Sequence, residues 1–417
     1  MAETELLVTF RVAVDEAIKT ELLNESFQLA RRGRTLVQVD EMCPDAPLGE
    51  ETKGLSRIGA LFDAEDLNFH QIPTRLIGSR AGKRNRRFLV SNQRRSEYTY
   101  RPAWWVRGAH AQTLWGKFFR ARTDLPLTLE RLETADKDFI DLHRLQAAPD
   151  APRLFFLHGL EGTIRSHYVS GFFGEARRRG WGADLLLFRG CGDEPNRAAR
   201  FYHSGDTADL ALALDWVAER HPNAPLLLAG VSLGGNVLLK YLGEGSAPVP
   251  SVRGAAAISV PFDLERGARH LSEGFARIYD RHFVRSLRRK AFAKLERYPD
   301  LFDGAALERV ETIYDFDDTV TAPVHGFTDA HDYYSRSSSL GYLSAVDVPT
   351  LLLSALDDPF LPADVLDQVR AVAEGNRCLT LEFTDHGGHV GFVAGKVPWR
   401  PVYYAEWRAC EFLEATL

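Results

Sequence analysis

The sequence predicts an α/β protein with a mostly parallel, doubly wound sheet, and three observations support this fold class. Six short, nearly continuous apolar runs are typical of strands buried on both faces of a parallel sheet, at residues 153–158, 183–188, 226–231, 255–260, 350–354 and 379–383. Helical patterns separate them, as at 207–220, where leucine and valine recur at intervals of four and three. The interval of more than 80 residues before the fifth run is too long for one crossover helix. It predicts an inserted helical cap at about 262–345, over the sheet edge where such folds bind ligands.

The composition is that of a globular protein, with 45% hydrophobic and 26% charged residues among 417. A net charge of −6 argues against a general attraction to nucleic acid. The four cysteines form no C-x-x-C pair, so neither a zinc site nor a disulfide framework is expected. No apolar run is long enough to cross a bilayer, and residues 1–5 are acidic where a signal peptide would be basic. We therefore expect a cytoplasmic protein with no integral membrane segment.

Residues 1–95 differ in character from the remainder, because they contain few predicted buried strands and a polar stretch at 44–53. We interpret them as a leader of uncertain order that precedes a main domain at 96–417. Methionine occurs only at positions 1 and 42, so a start at a non-Met codon near Val90 would make this leader a gene-model extension. The basic run at 80–87 is interpreted as a solvated linker, since it lacks the aromatic platforms of nucleic-acid sites.

The motif Gly-Val-Ser-Leu-Gly-Gly at 230–235 lies where the third predicted strand meets a helical pattern. A serine on such a sharp strand-to-helix turn forms a nucleophile elbow, with its hydroxyl exposed by a strained backbone. Glycine is needed at Gly230 and Gly234 because a Cβ there would collide with the neighbouring strand and helix. We therefore predict that Ser232 is a catalytic nucleophile.

A serine hydroxyl becomes nucleophilic when a histidine removes its proton and a carboxylate orients that histidine. In the α/β-hydrolase fold the acid follows the serine in the chain and the histidine comes last. Asp357 and Asp358 follow the fifth predicted strand, and we favour Asp358 as the acid and Asp357 as a loop-forming residue. His386 and His389 follow the last strand, and we favour His389 because two glycines before it permit a sharp turn. No third ligand accompanies the two histidines, so we expect no metal site.

The oxyanion that forms during acyl transfer requires backbone donors. One predicted donor is the N–H of Leu233, directly after the nucleophile, and the other is the N–H of Leu160 in the loop 158–162. His158 is interpreted as a structural support of this loop. Cys191 is a rival nucleophile, but no strand-to-helix elbow follows it, and we favour a packed or loop cysteine.

One helix of the predicted cap has apolar residues at helical spacing, from Phe283 to Leu295. Basic residues crowd its other side: Arg281, Arg285, Arg288, Arg289, Lys290 and Lys294. We interpret this side as a solvated helix face. The alternative is a basic amphipathic surface that recruits anionic or lipid-like substrate and makes peripheral lipid contact through the cap.

Seven motifs occur in order along the chain, at residues 104–114, 158–162, 200–205, 230–236, 332–334, 357–360 and 387–392. Together they resemble the YheT-like α/β-hydrolases, which are related to the mammalian abhydrolase-domain lipases, and the resemblance runs from about Tyr98 to the C-terminus. It implies esterase or acylglycerol-lipase chemistry, with Ser232, Asp358 and His389 at the positions of the family triad. The chain departs from the family at Gly192, where relatives tend to carry serine. This difference affects the expected details of the pocket and leaves the expected reaction class unchanged.

The sequence therefore predicts a serine hydrolase that cleaves a small-molecule or lipid-like carboxylic ester through an acyl-enzyme. Such chemistry requires no cofactor and no metal. One alternative is an acyltransferase that uses the same triad, if the cap admits an alcohol or thiol beside water. The other is a non-catalytic binding protein on this fold, which the presence of all three triad residues disfavours. No nucleic-acid partner is expected.

Overall fold

The computed structural model describes residues 8–11, 37–40, 99–121, 123–245, 249 and 251–417. The chain divides into two compact units, Met1–Ser96 and Glu97–Leu417. In the first unit, strands β1 (Val8–Arg11) and β2 (Val37–Asp40) pair in parallel. Apart from these strands, the interpretations of 1–95 as a leader and of 80–87 as a linker lie outside the described residues.

The second unit contains a large sheet with helices on both faces. Its strands are β3 (Leu127–Glu133), β4 (Phe139–Leu145), β5 (Arg153–Leu157), β6 (Gly182–Leu187), β7 (Leu226–Val231), β8 (Val252–Ile258), β9 (Thr350–Ala355), β10 (Leu379–Thr384), β11 (Val393–Ala394) and β12 (Val402–Tyr403). Its helices are α1 (Ala109–Phe119), α2 (His167–Arg178), α3 (Ala208–Arg220), α4 (Leu233–Gly243), α5 (Leu264–Leu271), α6 (Arg277–Arg297), α7 (Gly304–Glu308), α8 (Ile313–Phe316), α9 (Ala322–His325), α10 (Ala330–Ser337), α11 (Ala363–Ala373) and α12 (Tyr404–Glu414).

The large sheet has eight strands in the order β10-β9-β8-β7-β5-β6-β4-β3, and β11 and β12 form a separate antiparallel pair. The strands from β10 to β6 are all parallel, whereas β4 is antiparallel to both β6 and β3. Alternate residues of β5 enter two different apolar clusters: Leu154 and Phe156 pack with α2 and α12, and Phe155 and Leu157 pack with α3 and α4. The predicted mostly parallel, doubly wound sheet is confirmed.

All six predicted strands are present as β5 to β10, but β3 and β4 were not predicted from the sequence. Strand β4 is largely buried although it carries polar side chains. Its Asp141 accepts hydrogen bonds from Arg131 of β3, and its Arg144 donates to Asp184 of β6 at 2.6 Å. Because these charges are satisfied across strands, a search for apolar runs does not find β4.

The inserted helical cap lies between β8 and β9 and comprises α5 to α10, which surround an apolar cluster of their own. Its longest helix is α6, and the interpretation of one side of α6 as a solvated basic face is wrong for two residues. Lys290 Nζ lies 2.7 Å from Glu161 Oε1, and the buried Lys294 donates to the Asn196 carbonyl oxygen at 3.0 Å. Both lysines face loops at the sheet edge, which supply the oxygen acceptors that allow an ammonium group to be buried.

Candidate active site

Ser232 occupies the turn between β7 and α4 with φ of 52° and ψ of −125°. A positive φ is unusual for a residue with a side chain and indicates a strained backbone held by its surroundings. The Ser232 N–H donates to the Ile258 carbonyl oxygen at 2.8 Å. A Cβ at Gly230 would lie 2.5 Å from the Gly234 oxygen, and one at Gly234 would lie 2.4 Å from the His158 oxygen. The strand, the turn and the helix therefore pack together only with glycine at these two positions.

His389 connects Ser232 to Asp358. Its Nε2 lies 2.9 Å from Ser232 Oγ, and its Nδ1 lies 2.9 Å from Asp358 Oδ2. The Phe360 N–H donates to Asp358 Oδ1 at 2.8 Å, and the Phe360 ring stacks on the imidazole with centroids 3.9 Å apart. The imidazole and the carboxylate are both buried. The structure thus brings the three residues predicted as a triad into one chain of hydrogen bonds.

Asp357 and His386, the alternative acid and base, pair with each other in the same two loops. Asp357 Oδ2 lies 3.2 Å from the Nδ1 of the exposed His386, and Asp357 Oδ1 accepts the Gly388 N–H at 2.9 Å. These contacts brace the turn that precedes His389. The geometry is that of loop-forming residues and lies outside the Ser232–His389–Asp358 chain.

Helix α1 holds the histidine loop through two polar residues, Gln112 and Thr113. Neither was predicted as a site residue from the sequence. Thr113 Oγ1 accepts the His389 N–H at 2.9 Å and donates to the Ala109 carbonyl oxygen at 2.8 Å. The buried Gln112 side chain accepts the Val393 N–H at 2.7 Å and donates to the Val393 oxygen at 3.1 Å. The only sequence feature that pointed to these two residues was the motif at 104–114, which was identified only by its resemblance to the family. The two residues position His389 without contacting Ser232.

Leu160 lies in the loop after β5, between two peptides that are held by tyrosine hydroxyls. The Gly159 N–H donates to Tyr168 Oη at 3.0 Å, and the Glu161 N–H donates to Tyr202 Oη at 2.9 Å. Glu161 has a positive φ of 54°, which reverses the chain at this point. The two hydrogen bonds hold the peptides on either side of Leu160.

His158 supports the same loop from the interior. Its Nδ1 lies 2.7 Å from the Gly159 carbonyl oxygen, and its Nε2 accepts the Phe188 N–H at 3.1 Å. Burial lowers the pKa of His158 to about 4, so the ring is neutral near pH 7. A neutral ring with Nδ1 as donor and Nε2 as acceptor satisfies both contacts, which supports the structural role predicted for His158.

A cavity of about 760 Å³ lies between the sheet edge and the cap, with Ser232 and His389 in its wall. Leu160 and Leu233 also line it, and among the described residues the backbone N–H of neither has a hydrogen-bond acceptor. Several large apolar side chains complete the wall: Phe201, Leu264, Leu271, Phe283, Leu287 and Phe316. The cavity therefore offers an apolar space beside the serine and two unused donors.

Asp317 provides a polar contact in the part of the cavity wall that the cap contributes. Its carboxylate accepts hydrogen bonds from Thr321 Oγ1 at 2.6 Å and from Tyr334 Oη at 2.7 Å. Burial raises the pKa of Asp317 to about 6. The charge of this wall therefore changes within the range just below neutral pH.

Comparison with known proteins settles the family. A sequence profile described as alpha/beta hydrolase fold matches residues 152–395. The chain belongs to the α/β hydrolase family. This α/β hydrolase is 37% identical over 313 residues to YheT of Escherichia coli (strain K12), covering 74% of its own chain and 91% of YheT. The predicted membership of the YheT-like branch is confirmed.

Two eukaryotic relatives of this α/β hydrolase align over similar stretches. Phospholipase ABHD3 of Mus musculus is 28% identical over 340 residues, covering 79% of this chain and 81% of the relative. A monoacylglycerol lipase of Saccharomyces cerevisiae (strain ATCC 204508 / S288c) is 30% identical over 280 residues, covering 65% of this chain and 61% of the relative. Both alignments extend over most of the unit that contains the large sheet.

Cys191 of this α/β hydrolase is buried, and the Lys290 ammonium lies between its sulfur and the carboxylate of Glu161, in the loop after β5. Burial raises the pKa of its thiol to about 12, although the Lys290 ammonium lies only 3.7 Å from the sulfur. A cysteine acts as a nucleophile through its thiolate, which is scarce here at neutral pH. The structure therefore supports a packed cysteine rather than a rival nucleophile.

The part of this α/β hydrolase that the structure describes contains neither a cluster of metal-ligand side chains nor a helix that could span a membrane. No three side chains of the types His, Cys, Asp and Glu come together there as metal ligands would. No helix there combines the length and the apolar character needed to cross a membrane.

Proposed function

We propose that this α/β hydrolase cleaves carboxylic esters through an acyl-enzyme formed on Ser232. The observation that carries the proposal is the 2.9 Å contact between Ser232 Oγ and His389 Nε2, with Asp358 behind the imidazole. The relatives support ester substrates, because one is a phospholipase, one is a monoacylglycerol lipase, and YheT is assigned as an esterase.

The reaction begins when His389 Nε2 accepts the proton of Ser232 Oγ and the oxygen attacks the ester carbonyl carbon. Asp358 accepts a hydrogen bond from Nδ1–H, which orients the ring and stabilises the imidazolium. The N–H groups of Leu160 and Leu233 donate to the oxyanion. His389 then returns the proton to the leaving alcohol, and water, activated by the same imidazole, hydrolyses the acyl-enzyme.

The cavity indicates the substrate class. Its volume of about 760 Å³ and its large apolar side chains suit an acyl chain beside Ser232, so we propose a small-molecule or lipid-like ester. The two alternative predictions were an acyltransferase and a non-catalytic binding protein. The relatives favour neither of them, because their names denote hydrolases. The cytoplasmic location stays a prediction from the sequence.

Covalent labelling by a fluorophosphonate tests the assignment of Ser232. The probe phosphonylates an activated serine, so the wild-type protein should become labelled and Ser232→Ala should not. Ser170→Ala is the matched control, because Ser170 lies in α2 and its hydroxyl only donates to the His167 carbonyl oxygen at 3.1 Å. The control should label as the wild type does. Equal labelling of the wild type and Ser232→Ala would show that the nucleophile is a different residue.

A groove of about 860 Å³ on the cap is lined by four exposed arginines, Arg277, Arg281, Arg285 and Arg289, and by three acidic residues, Asp280, Glu296 and Glu311. The excess of basic side chains supports the proposal that α6 recruits anionic substrates. Arg288 also lines the groove but donates to the Glu308 carbonyl oxygen at 3.0 Å, so its replacement would disturb the cap itself. We expect Arg281→Gln/Arg289→Gln to raise KM for an anionic lipid ester about 30-fold, since each of the two surface cations contributes about 1 kcal/mol.

The same double variant should leave KM for a small neutral ester unchanged. Arg253→Gln is the control, because Arg253 is an exposed arginine of β8, away from the cap. Steady-state kinetics with the two substrates measure both values. An equal rise in KM for both esters would contradict recruitment by charge.

A further inference from the structure

Two segments of the chain, 99–121 and 387–405, meet beside the candidate active site, and neither contains an aspartate or a glutamate. The Ala103 N–H donates to the Val393 carbonyl oxygen at 2.9 Å. Trp104 Nε1 donates to the Lys396 oxygen at 2.9 Å, and Trp105 Nε1 donates to the Gly395 oxygen at 3.1 Å. The two segments thus form one continuous surface built on α1 and the β11–β12 pair.

Large apolar side chains are exposed on this surface, which we call the tryptophan face and define as Trp104, Phe119, Trp399 and Val402. Trp399 is 75% exposed and Trp104 is 65% exposed, more than any other large apolar side chain among the described residues. Phe119 and Val402 are exposed as well. A cluster of exposed aromatic side chains marks an interaction surface, since isolated proteins rarely leave such area in water.

The tryptophan face is also basic. Arg101, Arg107, Lys396 and Arg400 are exposed around it, and none of them pairs with a carboxylate among the described residues. The chain as a whole carries a net charge of −6, so this concentration of positive charge is local. Exposed tryptophan together with unpaired basic side chains is the combination found where proteins meet the headgroup region of anionic membranes.

We propose that the tryptophan face docks on the surface of a membrane that contains anionic lipid. Trp104 and Trp399 would enter the headgroup region, while the four basic side chains contact lipid phosphates. A second copy of the chain is a poorer occupant, because an isologous contact would bring the basic rims of both copies together. The proposal is separate from the cap surface on α6 and does not depend on the reaction that the enzyme catalyses.

The tryptophan face continues into the parts that hold the active site. Helix α1 carries Thr113, which accepts the His389 N–H, and ends at Phe119. The Trp115 ring packs against the Phe119 ring in a tilted arrangement, with centroids 4.5 Å apart. Lys117 Nζ of the same helix lies 3.4 Å from Nε2 of the cap residue His282. Docking through this face would therefore place α1 and the N-terminal part of α6 near the lipid surface.

Vesicle flotation of the full-length protein tests the proposal. The wild type should float with vesicles of phosphatidylcholine and phosphatidylglycerol, and much less with phosphatidylcholine alone or at high salt. Trp399→Ala should weaken binding about tenfold, because one large apolar side chain no longer leaves water. Lys396→Gln/Arg400→Gln should weaken binding to the anionic vesicles only. Leu129→Ala is the matched control, since Leu129 is a 56% exposed side chain of β3 outside this face, and it should float as the wild type does.

A second readout is the quenching of tryptophan fluorescence by vesicles that contain brominated phosphatidylcholine and phosphatidylglycerol. Quenching should occur in the wild type and be largely lost in Trp104→Ala/Trp399→Ala. Equal flotation of this double variant and the wild type would overturn the proposal. So would a wild-type dimer that the double variant converts to a monomer, because a second copy would then cover the face.

Hydrolysis of a short water-soluble ester separates this proposal from the proposed function. Every variant of the tryptophan face should retain the wild-type rate, which also shows that it folds. Loss of flotation with full hydrolysis in Trp104→Ala/Trp399→Ala supports docking. If the wild type floats but cleaves no ester, docking stands and the proposed function fails.

Discussion

Replacement of His389 by alanine should lower kcat/KM for a p-nitrophenyl ester by about 10⁵-fold to 10⁶-fold, as loss of the base does in other serine hydrolases. The reason is that Ser232 Oγ would lose the imidazole that lies 2.9 Å away and accepts its proton. His386→Ala is the matched control, because His386 lies three residues earlier, is exposed, and pairs with Asp357 instead. The control should stay close to the wild-type rate.

The two aspartates provide a parallel comparison within the same experiment. Asp358→Asn should lower kcat by about 10⁴-fold, because an amide cannot stabilise the imidazolium and favours the wrong tautomer. Asp357→Asn should keep most of the activity and lower the unfolding temperature slightly, because Asp357 Oδ1 accepts the Gly388 N–H at 2.9 Å. A loss in Asp357→Asn as large as that in Asp358→Asn would contradict the proposed acid.

Gly234→Ala should destabilise the protein by about 3 kcal/mol or more, the upper end of the range for overpacked sites. A Cβ at this position would lie 2.4 Å from the His158 oxygen and 2.6 Å from the Leu157 oxygen. Both are backbone atoms of β5 and the loop that follows it, so relief requires the elbow and that loop to move apart. Urea unfolding should show a lower midpoint, and any folded fraction should have little activity.

Gly174→Ala is the control for that substitution. Gly174 lies within α2, and a Cβ there would meet no atom within 4 Å. Alanine in a helix is favoured over glycine by about 1 kcal/mol, so this variant should unfold at a higher urea concentration than the wild type. A Gly234→Ala protein as stable as Gly174→Ala would show that the elbow and the loop are not packed together as described.

The buried strands could be predicted from the sequence because their apolar character is local. Strands β5 to β10 appear as short apolar runs, and β7 leads into a motif whose glycines and serine are adjacent in the chain. Strand β4 could not be found in this way. Its Asp141 and Arg144 can be buried because they form ion pairs with Arg131 and Asp184 on neighbouring strands. Without those partners, which the sequence alone does not reveal, charged residues are predicted to be exposed.

The basic side of α6 shows the same limit. Helical spacing separates its apolar and basic residues, but it does not show which basic residues meet an acceptor. Lys290 reaches Glu161 and Lys294 reaches Asn196, in loops about 100 residues earlier or more. Only folding brings these acceptors to the cap, so the sequence predicted a solvated face where two lysines are held at the cavity wall.

By itself the sequence determined the fold class, the family and a short set of candidates: one serine, two neighbouring aspartates and two histidines three residues apart. The order of the motifs and the local sequence patterns are enough to predict these features, because the buried strands and the elbow are each formed by residues adjacent in the chain. The tertiary structure decided which aspartate and which histidine lie in line with Ser232. It also decided that Thr113 and Gln112 hold the histidine loop and that Trp104 lies against the segment that begins at Gly395. These pairings join residues up to almost 300 positions apart, and a hydrogen bond of that kind depends on distances that only the folded chain defines.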